Sequence, residues 1–478
     1  MAASAPRPTP TARPDRDINH VLAYGQSLSN GYEGWPALSQ AQPHDSLMLG
    51  DSVRPLRDDS PDWQPTGAAA FRPLRATVQD IFTGALLTPA EVAALPRGSI
   101  AVGETVLEGA LNTWRGRQLV GGAVIGRQRL LASSCGTGGR TLEALSQGAS
   151  PELFNRLRGC IALARQTAAA AGLSYGVTAL LLLQGEHNNW GLDGGTRDTA
   201  AYAALLRRFY ADAAALAGAA PPPAMFLYQT GGSYASPSQS VPQAQLDCAL
   251  SLPGCYMVAP HYPVTEKGGH LDANGYRWLG AQFGKVLHRV LTLGEAWRPL
   301  HPLAAELAGQ ALLVRFHVPV PPLRWGRPLI GQAFGEPPRR GFSVVDGLGD
   351  VPIAGVELAG PDAVAISLGR AAAGAVTLRY ADQTCGGRGA LHDSDPDMAA
   401  DCYDYAAGTG HYPEANLPEL VGRPYPLFNW CVAFAVPVVP ARPPPTRAWE
   451  ILRDAPPPPP AAPPRTGLLA ALRRLFGG

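Results

Sequence analysis

The chain has 478 residues, of which 46% are hydrophobic and 16% charged, and its 39 basic and 38 acidic residues leave a formal net charge of +1 at pH 7. This length suggests two or three domains, and the apolar content excludes wholesale disorder. The balanced charge argues against nucleic acid or an anionic membrane as a partner.

Nothing in the sequence approaches the roughly 18 consecutive apolar residues of a membrane-spanning helix, so we expect no membrane span. The first sixteen residues lack the apolar segment of a signal peptide. The cellular location therefore stays open, either in the cytoplasm or outside it through a route other than general secretion.

Residues 1–17 form a Pro-rich arm for which we predict disorder. Ile18 to Tyr24 is a short apolar run ending at Gly25, which is the pattern of a buried strand. Similar strands are predicted over 129–133, 175–183 and 224–228, alternating with helices over 151–171, 199–217 and 275–291. The alternation predicts an α/β domain over 18–294 with a mostly parallel sheet covered on both faces.

From about residue 295 the pattern changes to short, partly alternating apolar runs separated by Gly, Pro and Asp turns. It predicts a smaller antiparallel β-sandwich-like domain over 295–440, with a barrel as the alternative. Residues 441–478 read as a Pro-rich linker and a short amphipathic tail, either a frayed end or a docking segment. The acidic run over 392–401 lacks the sixth-position glycine of a calcium loop, so we expect a solvated turn.

Seven cysteines and no CxxC pair indicate neither a disulfide framework nor a zinc site. Cys248 with Cys255, or Cys385 with Cys402, could pair in an oxidising compartment, but reduced thiols are the expectation. No metal site and no cofactor are predicted.

The first candidate for chemistry is Ser27, in Gly25-Gln26-Ser27 at the end of the first strand. A glycine there permits a sharp bend, which would leave the serine at the carboxyl edge of the sheet facing a cleft. The same serine could simply be a turn or cap residue. Ser52 in a GDS tripeptide is a weaker alternative, because it is followed by a polar loop and leaves the strand before Ser27 unexplained.

Other segments could complete a hydrolytic site around such a serine. His270 stands in a late loop just before a helix, where it could take the serine proton. The glycine-rich loop with Gly139 and the amide of Gln184 could donate hydrogen bonds to an oxyanion. Glu186 and Asn188 follow as candidate positioning residues. The aromatic rings at Trp35 and Trp190 could stack on sugar, or could equally be packing residues.

These four segments, in this order, resemble the SGNH hydrolase superfamily, specifically its sialate O-acetylesterase and carbohydrate esterase branch. The matching blocks are GQS at 25–27, GTGGRT at 136–141, QGE at 184–186 and GHLDANGYRWLG around His270, so the resemblance covers about 18–291. It implies a three-layer α/β/α, flavodoxin-like domain, Ser27 as nucleophile and His270 as base. The N–H groups of Ser27 and Gly139 and the Gln184 amide would then hold the oxyanion.

One position departs from the superfamily pattern, which usually has an aspartate three residues before the histidine. Here that position is Lys267. Glu266, one residue farther back, is our candidate for the acid that orients His270, and Asp272 is a less favoured one. A backbone carbonyl in place of a carboxylate would leave a Ser-His dyad.

Together these features predict a serine esterase that works through an acyl-enzyme without a cofactor, and the resemblance implies that it removes O-acetyl groups from a carbohydrate. Two alternatives stay open. One is a non-catalytic carbohydrate-binding or phage-tail/surface structural protein, which the lysine at position 267 favours. The other is an esterase for a non-sugar ester such as a lipid or polyester. The oligomeric state is not predicted.

Overall fold

A computed structural model describes residues 10–123, 125–266, 269–328 and 336–441. Most of the predicted Pro-rich arm and the linker and tail from 442 onward lie outside the described residues, as does Lys267.

Within these ranges the strands alternate with helices up to about residue 292 and follow one another directly afterwards. The strands are β1 Ile18–Gly25, β2 Leu47–Leu49, β3 Phe71–Pro73, β4 Arg129–Ser134, β5 Tyr175–Leu183, β6 Ala224–Gln229, β7 Cys255–Pro260, β8 His301–Ala308, β9 Ala311–His317, β10 Arg324–Trp325, β11 Phe342–Asp346, β12 Gly349–Asp350, β13 Ile353–Leu358, β14 Ala363–Leu368, β15 Val376–Tyr380, β16 Leu391–His392, β17 Met398–Cys402, β18 Pro424–Pro426 and β19 Phe434–Pro440. The α-helices are α1 Ser27–Asn30, α2 Pro89–Ala93, α3 Val106–Val120, α4 Leu142–Leu145, α5 Asn155–Ala170, α6 Glu186–Asn189, α7 Thr199–Ala217, α8 Ser240–Ser251 and α9 Ala273–Leu287. A π-helical turn, His288–Thr292, continues α9.

The first sheet has seven strands in the order β3-β2-β4-β1-β5-β6-β7. All neighbouring pairs are parallel except β2 with β3, which are antiparallel at one edge. On one side of β1 the chain forms β2 and β3 and then returns to place β4 between β2 and β1. It then crosses to β5 on the other side, so the strand order reverses at β1. In such sheets the carboxyl ends beside the reversal form the ligand-binding edge.

Alternate residues of the central strand enter two different cores. Val21 and Ala23 pack with α3 and α9 on one face, whereas Leu22 and Tyr24 pack with α5 and α7 on the other. This is the three-layer α/β/α arrangement, and the predicted fold class is confirmed. The sequence analysis missed β7, α3 and α8, because their apolar residues do not form a clean periodic run.

Helices α3 and α9 approach each other closely along glycines. A Cβ atom on Gly280 would lie 2.4 Å from the carbonyl oxygen of Val106, and one on Gly109 would lie 2.3 Å from that of Arg277. Because no side chain separates the backbones there, the contact fixes the position of α9.

The second sheet contains eight strands in the order β12-β11-β15-β19-β8-β9-β14-β13. Neighbouring strands are antiparallel from β12 to β19 and from β8 to β13 in this order. Residues of β9 alternate between buried and exposed, so one face packs on a core of its own that includes Leu312, Val314 and Phe316. This confirms a second, strand-rich part after the α/β part. The boundary at residue 294 stays a prediction.

Two aspartates of the acidic run over 392–401 are buried rather than solvated as we expected. Asp393 and Asp395 are 0% and 4% exposed, and Asp395 accepts a hydrogen bond from the buried ammonium group of Lys285 on α9 at 3.2 Å. Asn429 contacts both aspartates and the same lysine. The cluster joins α9 to the C-terminal part, because a buried charge needs such partners.

All seven cysteines are free thiols. No helix within the described ranges is both long and apolar enough to cross a lipid bilayer.

Two helical glycines should respond to alanine in opposite directions. Gly280→Ala should lower the free energy of unfolding by about 1–3 kcal/mol, because the new methyl group must push α3 and α9 apart. Gly159→Ala in α5 serves as the control, since its Cβ would meet no heavy atom closer than 3.6 Å. Improved helix propensity should there give a gain of up to about 1 kcal/mol. Denaturant unfolding measures both, and equal effects would argue against the tight α3–α9 contact.

Candidate active site

Ser27 is the first residue of α1, directly after β1. Gly25 makes the bend possible, since its φ is +145° and a Cβ there would lie 2.0 Å from the carbonyl oxygen of Leu183 in β5. The Gln26 N–H donates to that same oxygen at 3.0 Å. The strand ends thus hold Ser27 at the carboxyl edge of the sheet, with its own N–H at a helix position that has no intrahelical partner.

The structure brings Ser27 and His270 together. His270 Nε2 lies 2.8 Å from Ser27 Oγ, which is the separation needed for proton transfer from the hydroxyl group. Asp272 caps α9 just after His270, accepting from the Gly275 N–H at 2.7 Å and the Thr265 hydroxyl at 2.6 Å. His270 therefore lies just before the start of a capped and closely packed helix.

The carboxylate facing the other side of the imidazole is Glu33, whose Oε1 lies 3.0 Å from His270 Nδ1. It has the left-handed φ of +64°, which is uncommon for a residue other than glycine and is often found at functional positions. Its N–H donates to the Ala101 carbonyl at 3.0 Å. A carboxylate at this position would favour the tautomer that leaves Nε2 free to accept from Ser27.

Glu266, the acid that we predicted from the sequence, does not have this position. Its buried carboxylate pairs with Arg388 from the C-terminal part and accepts from the Ser233 hydroxyl. No hydrogen bond or ion pair joins Glu266 to His270 within the described residues. The correction has a simple physical reason: a buried carboxylate is stabilised by the nearest cation, and Arg388 supplies one.

The glycine-rich loop after β4 lies beside the turn from Gly25 to Ser27, and the Thr137 N–H donates to the Gly25 carbonyl at 3.0 Å. Asp58 anchors it, accepting from the Gly138 N–H at 3.2 Å and the Tyr32 hydroxyl at 2.7 Å. The N–H of Gly139 has no hydrogen-bond partner among the described residues. It is therefore available as a donor, and its contact with an oxyanion stays a prediction.

Gln184 and Asn188 do not point their amides at the site. The Gln184 amide donates to the Arg140 carbonyl at 3.2 Å and to Asn188 Oδ1 at 2.6 Å, so its N–H groups are used. The Asn188 amide in turn donates to Glu143 at 2.8 Å. Both residues are fully buried. The expected donation by Gln184 to an oxyanion therefore does not agree with the structure.

The remaining candidates differ in exposure. Glu186 is buried and accepts from the Tyr228 hydroxyl, and Trp35 is only 2% exposed, with its indole N–H on the Ser99 carbonyl at 2.9 Å. Neither side chain can meet a substrate as arranged, so Trp35 is a packing residue. Trp190 is 45% exposed and its ring is accessible.

Tyrosine rings surround the histidine. Tyr32 and Tyr234 have ring centroids 5.7 Å and 6.2 Å from that of His270. Burial raises the pKa of Tyr234 above its ordinary value, and the nearby carboxylates of Glu186 and Glu33 add to the shift. These phenols therefore stay neutral, and their rings limit the access of water to the imidazole.

Sequence reasoning missed Glu33 because no motif marks it. One signal was available, since Glu33 is the single carboxylate in the segment from Ser27 to Trp35. It also missed a second histidine, His411, whose Nε2 lies 3.3 Å from Glu33 Oε2. No local pattern predicts that contact, because the two residues are far apart in the chain.

Comparison with known proteins identifies the fold. No family model matches the sequence, and no curated protein matches it. Among solved structures, a carbohydrate acetylesterase from Xanthomonas citri is similar, with a TM-score of 0.52 at 14% identity over 87% of this chain and 80% of that one. An Arabidopsis thaliana protein aligns with 57% of this chain and 99% of its own, at 14% identity and a TM-score of 0.39. The first likeness shows that this chain shares the fold of that acetylesterase.

The effects of Glu33 and Glu266 on the site can be distinguished by the rate at which a fluorophosphonate probe labels Ser27. Glu33→Gln should slow labelling by about 10²–10⁴-fold, since an amide neither enforces the tautomer nor stabilises the imidazolium. Glu266→Gln should change the rate less than about tenfold while lowering the melting temperature, because it leaves Arg388 buried beside a neutral amide. Peptide mapping should place the label on Ser27. The reverse order of the two rates would contradict the geometry.

Proposed function

We propose that this protein is a serine esterase that removes O-acetyl groups from a carbohydrate. The observation that carries the proposal is the series of contacts in which His270 Nε2 lies 2.8 Å from Ser27 Oγ and His270 Nδ1 lies 3.0 Å from Glu33 Oε1. A hydroxyl, an imidazole and a carboxylate in this order form an activated nucleophile.

The reaction follows from that order. Ser27 Oγ attacks the acetyl carbonyl carbon as its proton passes to His270 Nε2, and the imidazolium is stabilised by Glu33. The N–H groups of Ser27 and Gly139 hold the tetrahedral oxyanion. His270 then gives its proton to the departing sugar hydroxyl. Water, deprotonated by His270, hydrolyses the acetyl-enzyme and releases acetate.

Two lines of support differ in weight. The triad geometry supports ester hydrolysis in general. The carbohydrate substrate rests on the fold shared with a carbohydrate acetylesterase and on the resemblance of the sequence blocks to carbohydrate esterases. The exposed Trp190 is compatible with this substrate, because an aromatic face packs well on a sugar ring.

The non-catalytic alternative loses its main argument. It was favoured by a lysine where the superfamily usually has an aspartate, and Glu33 now supplies a carboxylate at the same side of the imidazole. No feature of the described residues favours a lipid or polyester substrate over a sugar.

Acetate release tests the proposal directly. Purified protein should release acetate from acetylated polysaccharides, and Ser27→Ala should lower the rate by about 10⁴-fold or more. Aryl esters of increasing chain length provide the comparison, and the rate should fall beyond short acyl groups. Full activity of Ser27→Ala would refute the mechanism. Activity confined to long acyl chains would refute the substrate class.

Trp190→Ala tests the sugar contact. On an acetylated oligosaccharide it should raise KM by about 3–10-fold with little change in kcat, because stacking stabilises the ground state and the transition state alike. On a small aryl acetate it should have no effect. Leu192→Ala is the control, since that side chain is also exposed, at 50%, but offers no ring. Equal effects of the two variants on the oligosaccharide would mean that Trp190 makes no specific contact.

A further inference from the structure

His411 belongs to the segment between β17 and β18, in the C-terminal part of the chain. Its side chain is nonetheless buried against the catalytic carboxylate, with Nε2 3.3 Å from Glu33 Oε2 and 5% of the side chain exposed. The Gly98 N–H donates to the His411 carbonyl at 3.3 Å. This backbone hydrogen bond joins the His411 segment to the segment around Gly98.

The hydrogen bonds define which ring nitrogen carries a proton. His411 Nδ1 lies 2.9 Å from the Ser99 carbonyl oxygen, and a carbonyl can only accept, so Nδ1 bears hydrogen. Nε2 then faces a carboxylate oxygen, which also only accepts when ionised. The contact is favourable only with a proton between the two atoms.

The other charged groups around His411 are paired with one another. Glu33 is the anion in contact with His411. Arg97 lies over the neighbouring Tyr412 ring, 5.4 Å from its centroid, and pairs with Glu414. The guanidinium therefore has its own counter-ion, and Glu33 remains the partner of His411.

We propose that His411 is a positioning residue for Glu33, so that the hydrolytic site is a four-residue series of Ser27, His270, Glu33 and His411. Each carboxylate oxygen of Glu33 lies against one histidine ring nitrogen, at 3.0 Å for His270 and 3.3 Å for His411. This pair of contacts prevents the carboxylate from rotating away from His270 Nδ1. The C-terminal part of the chain thereby completes the site.

The inference rests on the proposed nucleophilic role of Ser27, and two amide substitutions at position 411 test it. The side-chain amide nitrogen of glutamine lies about where Nε2 lies, and that of asparagine about where Nδ1 lies. His411→Gln therefore keeps a donor toward Glu33, whereas His411→Asn keeps a donor toward Ser99 only. A residue that acts merely in packing would tolerate the two amides equally.

The readout is the rate at which a fluorophosphonate labels Ser27 in the full-length protein, which needs no knowledge of the natural substrate. His411→Asn should slow labelling by about 10–100-fold, as expected for loss of an outer partner of a reacting group. His411→Gln should recover most of that loss. With an aryl acetate the Asn variant should lower kcat and leave KM unchanged. Melting temperatures of both variants establish that they are folded.

A double-mutant comparison completes the test. In a Glu33→Gln background, His411→Asn should add little further loss, because the effect passes through Glu33. Equal labelling of His411→Asn and wild type, or additive losses with Glu33→Gln, would overturn the inference. If wild-type Ser27 is labelled but no acetylated glycan releases acetate, the substrate proposal fails and the His411 comparison still stands. Absence of labelling in the wild type would overturn both.

Discussion

The contact between Glu33 and His270 is the interaction on which the rest of the site depends. An imidazole has two nitrogens, and only the tautomer with hydrogen on Nδ1 presents a lone pair to Ser27. In the proposed mechanism the carboxylate of Glu33, 3.0 Å from Nδ1, selects that tautomer. Both partners of the contact come from segments whose backbone is closely restrained, one by the cap of α9 and the other by the hydrogen bond to Ala101.

The C-terminal part contributes to the α/β part through charged residues rather than through a large apolar contact alone. Arg388 pairs with Glu266, His411 with Glu33, and the aspartates at 393 and 395 gather around Lys285. Removing one partner of a buried pair leaves an uncompensated charge and costs several kcal/mol. These pairs join segments that are far apart in the chain.

Much of the fold could be predicted from sequence because its elements are locally determined. The apolar runs of β1 and β5 and the helical spacing of α7 specify their own structure, and the parallel sheet then places residues after each strand at one edge. Ser27 and His270 meet for this reason. Glu33 and Glu266 could not be distinguished, because their partners depend on contacts across the chain. Gln184 and Trp35 have the right chemistry, but buried hydrogen bonds already occupy their polar groups.

The close approach of α3 and α9 has a consequence for how activity would fail under stress. His270 lies only three residues before α9. The position of its imidazole therefore depends on how α9 packs against α3 at the glycine contact near Val106. A small tilt of α9 at that contact would move the imidazole away from Ser27 while the sheet keeps its hydrogen bonds. On warming, activity would then be lost before the protein unfolds. The distance between Ser27 and His270 would depend on helix packing well inside the protein.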